Sequence, residues 1–287
     1  MTRIADVIAA ADELLEPKRF KDLGPNGLQV PGAGEVTRIV TGVTAQLALI
    51  EAAIERGAQL VLVHHGLFWD FLPTGVSAQR ELAERAVALG AQLVLVHHGL
   101  FWSFQPAGLT PLLAERLRPL FKHDVNLAAY HLPLDAHPRY GNNALLAERL
   151  GCERHEAWGE YSGTPIGRAA TLPGDGVPAD ELFERVRALT GGREPTVFAG
   201  GPPEIRRIAI VSGSAAELLD AAVQDGFDAF LTGEPREHVM AETREAGIHF
   251  IAAGHYATET LGIRALGEWL AERFGIEHEF VDIPNPV

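Results

Sequence analysis

Apolar residues at Ile4, Val7, Ile8, Ala11 and Leu15 recur at helical spacing, which predicts a helix over Met1–Leu15. The β-branched run Arg38–Val43 predicts a strand. Ala45–Arg56, polar only at Gln46, Glu51, Glu55 and Arg56, predicts a helix closed by Gly57. Leu60–Val63 is wholly apolar, as a strand buried on both faces of a parallel sheet is. Strand, helix and strand in this order make a βαβ unit. The layout returns at Arg207–Ser212, a helix over Ala215–Gln224, Gly226 and Ala229–Leu231. Further strands are predicted at Val125–Ala129 and His249–Ala253, with a helix from His255 to about Phe274. The stretch between Gly151 and Gly201 is richer in Gly and Pro and holds one clear helix near Asp180–Leu189. The expected fold is therefore α/β, with two related lobes of mixed or mostly parallel sheet. Residues 1–150 and 201–287 form the lobes, and 151–200 an inserted or linking segment.

One feature interrupts this regularity. Gly57–Trp69 (GAQLVLVHHGLFW) recurs letter for letter 33 positions later as Gly90–Trp102. Upstream, Thr41–Gln46 lines up with Thr74–Gln79, so the duplicated unit spans 41–69 and 74–102. Helical repeat arrays share such a period but need at least three stacked copies. A recent duplication of one αβ element and an artefact of sequence assembly or design both account for the two copies. The extra unit is expected to add a strand or a loop.

Composition narrows the function. The 287 residues are 47% hydrophobic, enough for a substantial core. Lys and Arg number 24 against 38 Asp and Glu, a net charge of −14 that repels phosphate backbones and disfavours non-specific nucleic-acid binding. It leaves room for a nucleotide at a metal site, because bound cations reverse the local field. The single cysteine, Cys152, excludes an internal disulfide and a thiolate-rich zinc site. Met1–Pro17 is interrupted by acids as no signal-peptide core is, and no apolar run approaches the roughly 18 residues that cross a bilayer. A cytoplasmic protein with no membrane partner is the expectation.

The twelve histidines supply the candidate chemistry. His64-His65-Gly66 follows the Leu60–Val63 strand, and His97-His98-Gly99 is its copy. Neighbours on a strand point to opposite faces, so both imidazoles serve one site only where the strand stops, which Gly66 permits. Ligands bind at the carboxyl edge of α/β sheets. Asp135 follows the Val125–Ala129 strand with His131 four residues before it, although an Asp near Pro133 is also a common turn residue. Asn142 and Asn143 are expected to cap the next helix. His255 and Glu259, four apart, share one helical face, and an imidazole beside a carboxylate suits zinc, iron or manganese. Glu259 also complements a helix N-terminus. Glu234 ends the strand equivalent to the one before His64-His65. Neither a nucleophilic-serine elbow nor a Walker-type loop is present, which disfavours serine hydrolases and P-loop enzymes.

Taken together, Thr41-Gly42-Val43-Thr44, His64–Trp69, His131–Asp135, Leu231–Glu234 and Gly254–Glu259 resemble the NIF3-like dinuclear metal-centre family, whose bacterial members are labelled GTP cyclohydrolase I type 2 homologues. The resemblance runs from Met1 to about Pro284. It implies two α/β lobes around a two-metal cleft, assembled as a toroidal homohexamer. It implies two divalent ions per chain held by a histidine pair, Asp135, His255 and Glu259, with Glu259 bridging and His131 and Glu234 behind the ligands. Only one pair, His64 and His65 or His97 and His98, completes such a site. The first pair keeps the spacing to the Thr41 strand, and the second lies nearer Asp135. Such ions lower the pKa of bound water toward neutrality and polarise the electrophile. The implied reaction is hydrolysis of a small molecule, with a purine nucleotide as the implied substrate; no catalytic residue is assigned. A metal-delivery protein uses the same ligands, and a metal-dependent phosphoesterase or nuclease suits the same ions.

Overall fold

The computed structural model describes residues 2–21, 27–30, 34–44, 47–65, 93–96 and 126–286. The chain divides into two compact units. One holds Met1–Leu134 and Ile263–Ile283, the other Asp135–Gly262 and Pro284–Val287. The predicted α/β class is the observed one.

The first unit is built on a six-stranded sheet. Its order is Glu277–Phe280, Arg38–Thr44, Leu60–His65, Leu93–Val96, Asn126–Ala129 and Gly27–Val30. All neighbours are parallel except the last pair. Helix Ile4–Leu15 lays its apolar stripe of Ile4, Val7, Ile8, Ala11 and Leu15 into a core with Ile39, Leu60 and Leu62. Each Val, Ile or Leu among them, fully buried, stabilises the fold by about 1.5–3 kcal/mol. Helix Leu47–Glu55 lies close on its strand because Gly42 has no side chain; a Cβ there would meet Leu49 Cδ2 at 2.7 Å.

The duplicated segment resolves as an added strand. Leu60, Val61, Leu62 and Val63 pair in parallel register with Leu93, Val94, Leu95 and Val96, so each residue lies beside its own copy. Identical apolar strands can neighbour one another because a parallel interior position demands the same residue types of both.

The second unit has a six-stranded mixed sheet. Its order is Thr196–Ala199, His249–Ala252, Ala229–Thr232, Arg207–Ile210, Thr164–Thr171 and Arg154–Tyr161. The three strands at positions two to four are parallel and the outer pairings antiparallel. Alternation along the apolar strands feeds two cores. Ile208, Ile210, Leu231 and Ile251 pack with Leu146 and Leu150, and with Leu182 and Val186 of helix Ala179–Leu189. Ala209, Val211, Phe230 and Phe250 pack with Leu219, Ala222 and Val239.

The division differs from the 1–150, 151–200 and 201–287 reading in three places, the first being that residues 135–150 fall in the second unit. Three strands and a helix of 151–200 belong to the second sheet and its core: Thr164–Thr171 pairs antiparallel with Arg207–Ile210 and with Arg154–Tyr161, and Thr196–Ala199 with His249–Ala252. The C-terminal helix Thr260–Phe274 and strand Glu277–Phe280 supply the first unit, since Ile263, Leu266 and Leu270 pack against the Ile4–Leu15 stripe. Strand pairing and helix docking of this kind are non-local, and local periodicity does not report them. No helix among the described residues is long and apolar enough to cross a membrane.

Candidate metal centre

The second unit gathers its chemistry where its parallel strands end. After Arg207–Ile210 the chain turns at Gly213, whose φ of 70° favours glycine. Its carbonyl accepts from the Gly233 amide at 2.8 Å and the Thr232 hydroxyl at 3.1 Å, and its amide donates to Thr258 Oγ1 at 3.1 Å. The turn is thereby stitched to the end of the neighbouring strand Ala229–Thr232 and to the helical turn His255–Thr258. The absent side chain matters as much: a Cβ on Gly213 would stand 2.6 Å from Glu259 Oε1 and 3.4 Å from His255 Nε2. Gly254, with φ 98°, turns the chain out of strand His249–Ala252 into His255.

Following Gly254, residues His255–Thr258 make one helical turn, and Thr260–Phe274 is a separate helix. The continuous helix expected from His255 to Phe274 is therefore corrected. It breaks at Glu259, with φ −109° and ψ 6°, which places that carboxylate at a corner of the chain. The i,i+4 relation survives the break, with His255 Nε2 3.1 Å from Glu259 Oε2. His255 Nδ1 hydrogen-bonds Glu234 Oε1. Glu259 is almost fully buried, whereas Glu234 is half-exposed. Burial works to lower the His255 pKa, but Glu259 and Glu234 together outweigh it and raise the value to about 10. The hydrogen bond from His255 holds Glu234 below the usual carboxylate range.

Asp135, buried at the end of the short helix Leu132–Asp135, is tied through an intermediary to the chain three residues past Glu259. Asn142 Nδ2 donates to Asp135 Oδ1 at 3.2 Å, and Asn142 Oδ1 accepts from the Gly262 amide at 2.7 Å. The expected capping by Asn142 and Asn143 is corrected too. Gly141 is the residue before the helix, and neither side chain caps it, because both are fully buried and spent elsewhere. Arg168 Nη2 donates to the Ala136 carbonyl at 2.7 Å, pinning the turn after Asp135. Nothing local distinguishes such asparagines from caps, since their partners lie up to 120 residues away.

In the first unit, strand Leu60–His65 continues through both histidines. His64 keeps to the face of Leu60 and Leu62 and is fully buried. His65 pairs with Thr44 along the backbone. His131 is half-buried at the start of helix Leu132–Asp135. His97 and His98 lie outside the described residues. Among the described residues, no group of three or more His, Cys, Asp or Glu is placed to hold a metal ion. Glu234 occupies the opposite ring nitrogen of His255 from Glu259, so these two acids straddle the imidazole. That arrangement fits a cation at Nε2: the second carboxylate fixes the tautomer and orientation of the ring, and Nε2 faces a buried carboxylate oxygen.

The family model of Duf34/NIF3 (NGG1p interacting factor 3) matches residues 2–74 and 72–286. The chain belongs to the DUF34/NIF3 family. Among family relatives, a Pseudomonas aeruginosa protein described as a GTP cyclohydrolase 1 type 2 homolog is 41% identical over 283 residues, covering 99% of this chain and 98% of its own. The solved structure described as "protein ybgI, unknown function" is 36% identical, with a TM-score of 0.77, and spans all of both chains. TTHA1606 from Thermus thermophilus is 32% identical, with a TM-score of 0.74 and 99% of each chain covered. The two matched segments of the DUF34/NIF3 model overlap at residues 72–74, where the first copy of the duplicated unit has ended and the second begins.

Proposed function

We propose that this DUF34/NIF3 chain is a divalent-metal-dependent hydrolase of small molecules, with a purine nucleotide as the leading substrate class. The single observation that carries the metal reading is the buried Glu259 carboxylate against His255 Nε2, with Glu234 on the other ring nitrogen. In this reading His255 and Glu259 hold cation, Glu234 fixes the imidazole, and Asp135 supplies a further carboxylate. The resemblance implies the histidine pair, His64 with His65 or His97 with His98, and in this reading His131 stands behind the ligands. Two divalent ions, zinc, iron or manganese, would supply Lewis acidity and make water a nucleophile at neutral pH. The protein's own part is to fix the carboxylates, to hold His255 Nδ1–H on Glu234 and to keep Glu259 out of bulk water. The nucleotide assignment rests on the relatives' name, GTP cyclohydrolase 1 type 2 homolog. The resemblance also implies a homohexamer, and the sequence reading puts it in the cytoplasm.

Protein purified without chelator should carry about two divalent ions per chain by elemental analysis. Incubation with GTP should release formate, and chelation or Glu259→Gln should abolish that release. Tightly held metal with no turnover of nucleotides, phosphoesters or amides would replace this reading with metal delivery. Light scattering should return the mass of six chains.

A further inference from the structure

Two consecutive buried amides stand behind the candidate ligands. Asn142 and Asn143 open helix Asn142–Arg149, and neither is exposed at all. Burying an amide is costly unless its donors and acceptor are matched, so the partners show what each residue is for. Successive helix positions point in directions about 100° apart, and the two amides reach in two directions from one turn.

Asn142 links the buried Asp135 carboxylate to the Gly262 amide, three residues past Glu259. The orientation of the amide is forced, since a backbone N–H can only donate and a carboxylate can only accept. Gly262 belongs to the same device: a Cβ there would stand 2.7 Å from Asn142 Oδ1. Asn143 Nδ2 donates to the Ile166 carbonyl at 2.9 Å, and its Oδ1 accepts from the Ser212 amide at 2.6 Å. Ser212 precedes Gly213, the turn packed against the Glu259 carboxylate. One helix turn therefore touches Asp135 directly and flanks Glu259 on two sides of the chain, at Gly262 and at Ser212 beside the Gly213 turn.

We propose that Asn142 and Asn143 are positioning residues, a clamp that holds the Asp135 and Glu259 carboxylates where a divalent cation binds. The proposal rests on the metal-site reading above. Asn142 is the discriminating member, because of the two it is the one that bonds a ligand side chain. Groups that orient metal-binding carboxylates typically contribute 10–100-fold to metal affinity.

The test is titration of the full chain with Co²⁺, following the visible absorption that reports coordination, alongside thermal unfolding in chelator. Asn142→Ala should weaken Co²⁺ binding about 10–100-fold and change the absorption spectrum. Gly262→Ala should do the same by displacing an intact Asn142 amide. Both variants should still unfold cooperatively in chelator, a few degrees below the parent, with a loss of Co²⁺ affinity larger than that destabilisation accounts for. Parent affinity and spectrum in either variant that folds would overturn the clamp. So would losses of affinity that merely track loss of the metal-free fold in both. If the unaltered protein takes up no Co²⁺, Zn²⁺ or Mn²⁺, the metal reading itself fails, an outcome distinct from failure of the clamp.

Discussion

The two units contrast most at the ends of their parallel strands. In the first, strand Leu60–His65 carries its histidines inside the regular pleat, so His64 stays on the buried face of Leu60 and Leu62. In the second, Gly213 and Gly254 turn the chain away from the pleat, and His255, Glu259 and Glu234 meet on the turns that result. Alternation separates neighbouring side chains, whereas glycine-hinged turns let residues from different strands converge. The second unit thus makes its own polar cluster, whereas the first keeps His64 on a regular strand.

This contrast predicts that glycine replacement costs most in the second unit. Gly213→Ala would force a side chain onto a φ of 70° and against Glu259 Oε1 at 2.6 Å. The expected loss is about 2–3 kcal/mol in stability, with cation affinity falling at least as far as in Asn142→Ala. In the first unit, Gly42→Ala would press only on the Leu49 side chain, costing about 1–2 kcal/mol with cation binding unchanged. Urea unfolding and Co²⁺ titration of both variants check the pair. Equal losses of cation affinity would remove the distinction between the units.

The duplicated histidines sharpen the contrast next. His64→Ala leaves a cavity at a fully buried site and should cost about 1–3 kcal/mol. Of His64→Ala and His97→Ala, only one should remove metal from the purified protein, and elemental analysis of the two identifies the working copy.

Acid should act on the first unit through His278. Its Nε2 is 2.8 Å from Thr41 Oγ1, and burial, with Arg264 adding to it, lowers its pKa to about 4. The folded state keeps this imidazole neutral, while the unfolded chain takes up a proton below its ordinary 6.5. Stability is therefore present above pH 6.5 and erodes as pH falls toward 4, by about 1–2 kcal/mol after allowing for partial exposure. His278→Gln should flatten that dependence in urea unfolding at pH 4.5 and 7.5. The smallest effect is expected from excising residues 66–98, which removes one full period and leaves a single His-His-Gly. The excised chain should fold and keep the parent's metal content.

Much of this was legible in the letters. The Ile4–Leu15 stripe, the apolar Leu60–Val63 strand and the i,i+4 spacing of His255 and Glu259 each depend on near neighbours, and each is found as read. The break at Glu259 was not, because Glu259 is as good a helix former as its neighbours and the corner is imposed by tertiary packing. The roles of Asn142 and Gly213 were hidden for a related reason. An Asn at a helix start reads as a cap, and a Gly between two serines reads as a loop, until distant partners are known. The same holds for Thr164–Thr171, whose place beside Arg207–Ile210 no local pattern encodes.

The central claim is that His255 and Glu259 hold a divalent cation. Anomalous diffraction from crystals loaded with Zn²⁺ or Mn²⁺ tests it most directly. The account predicts a strong peak within coordination distance of His255 Nε2 and Glu259. Peaks confined to other residues, with His255 still closed on Glu259, would contradict it.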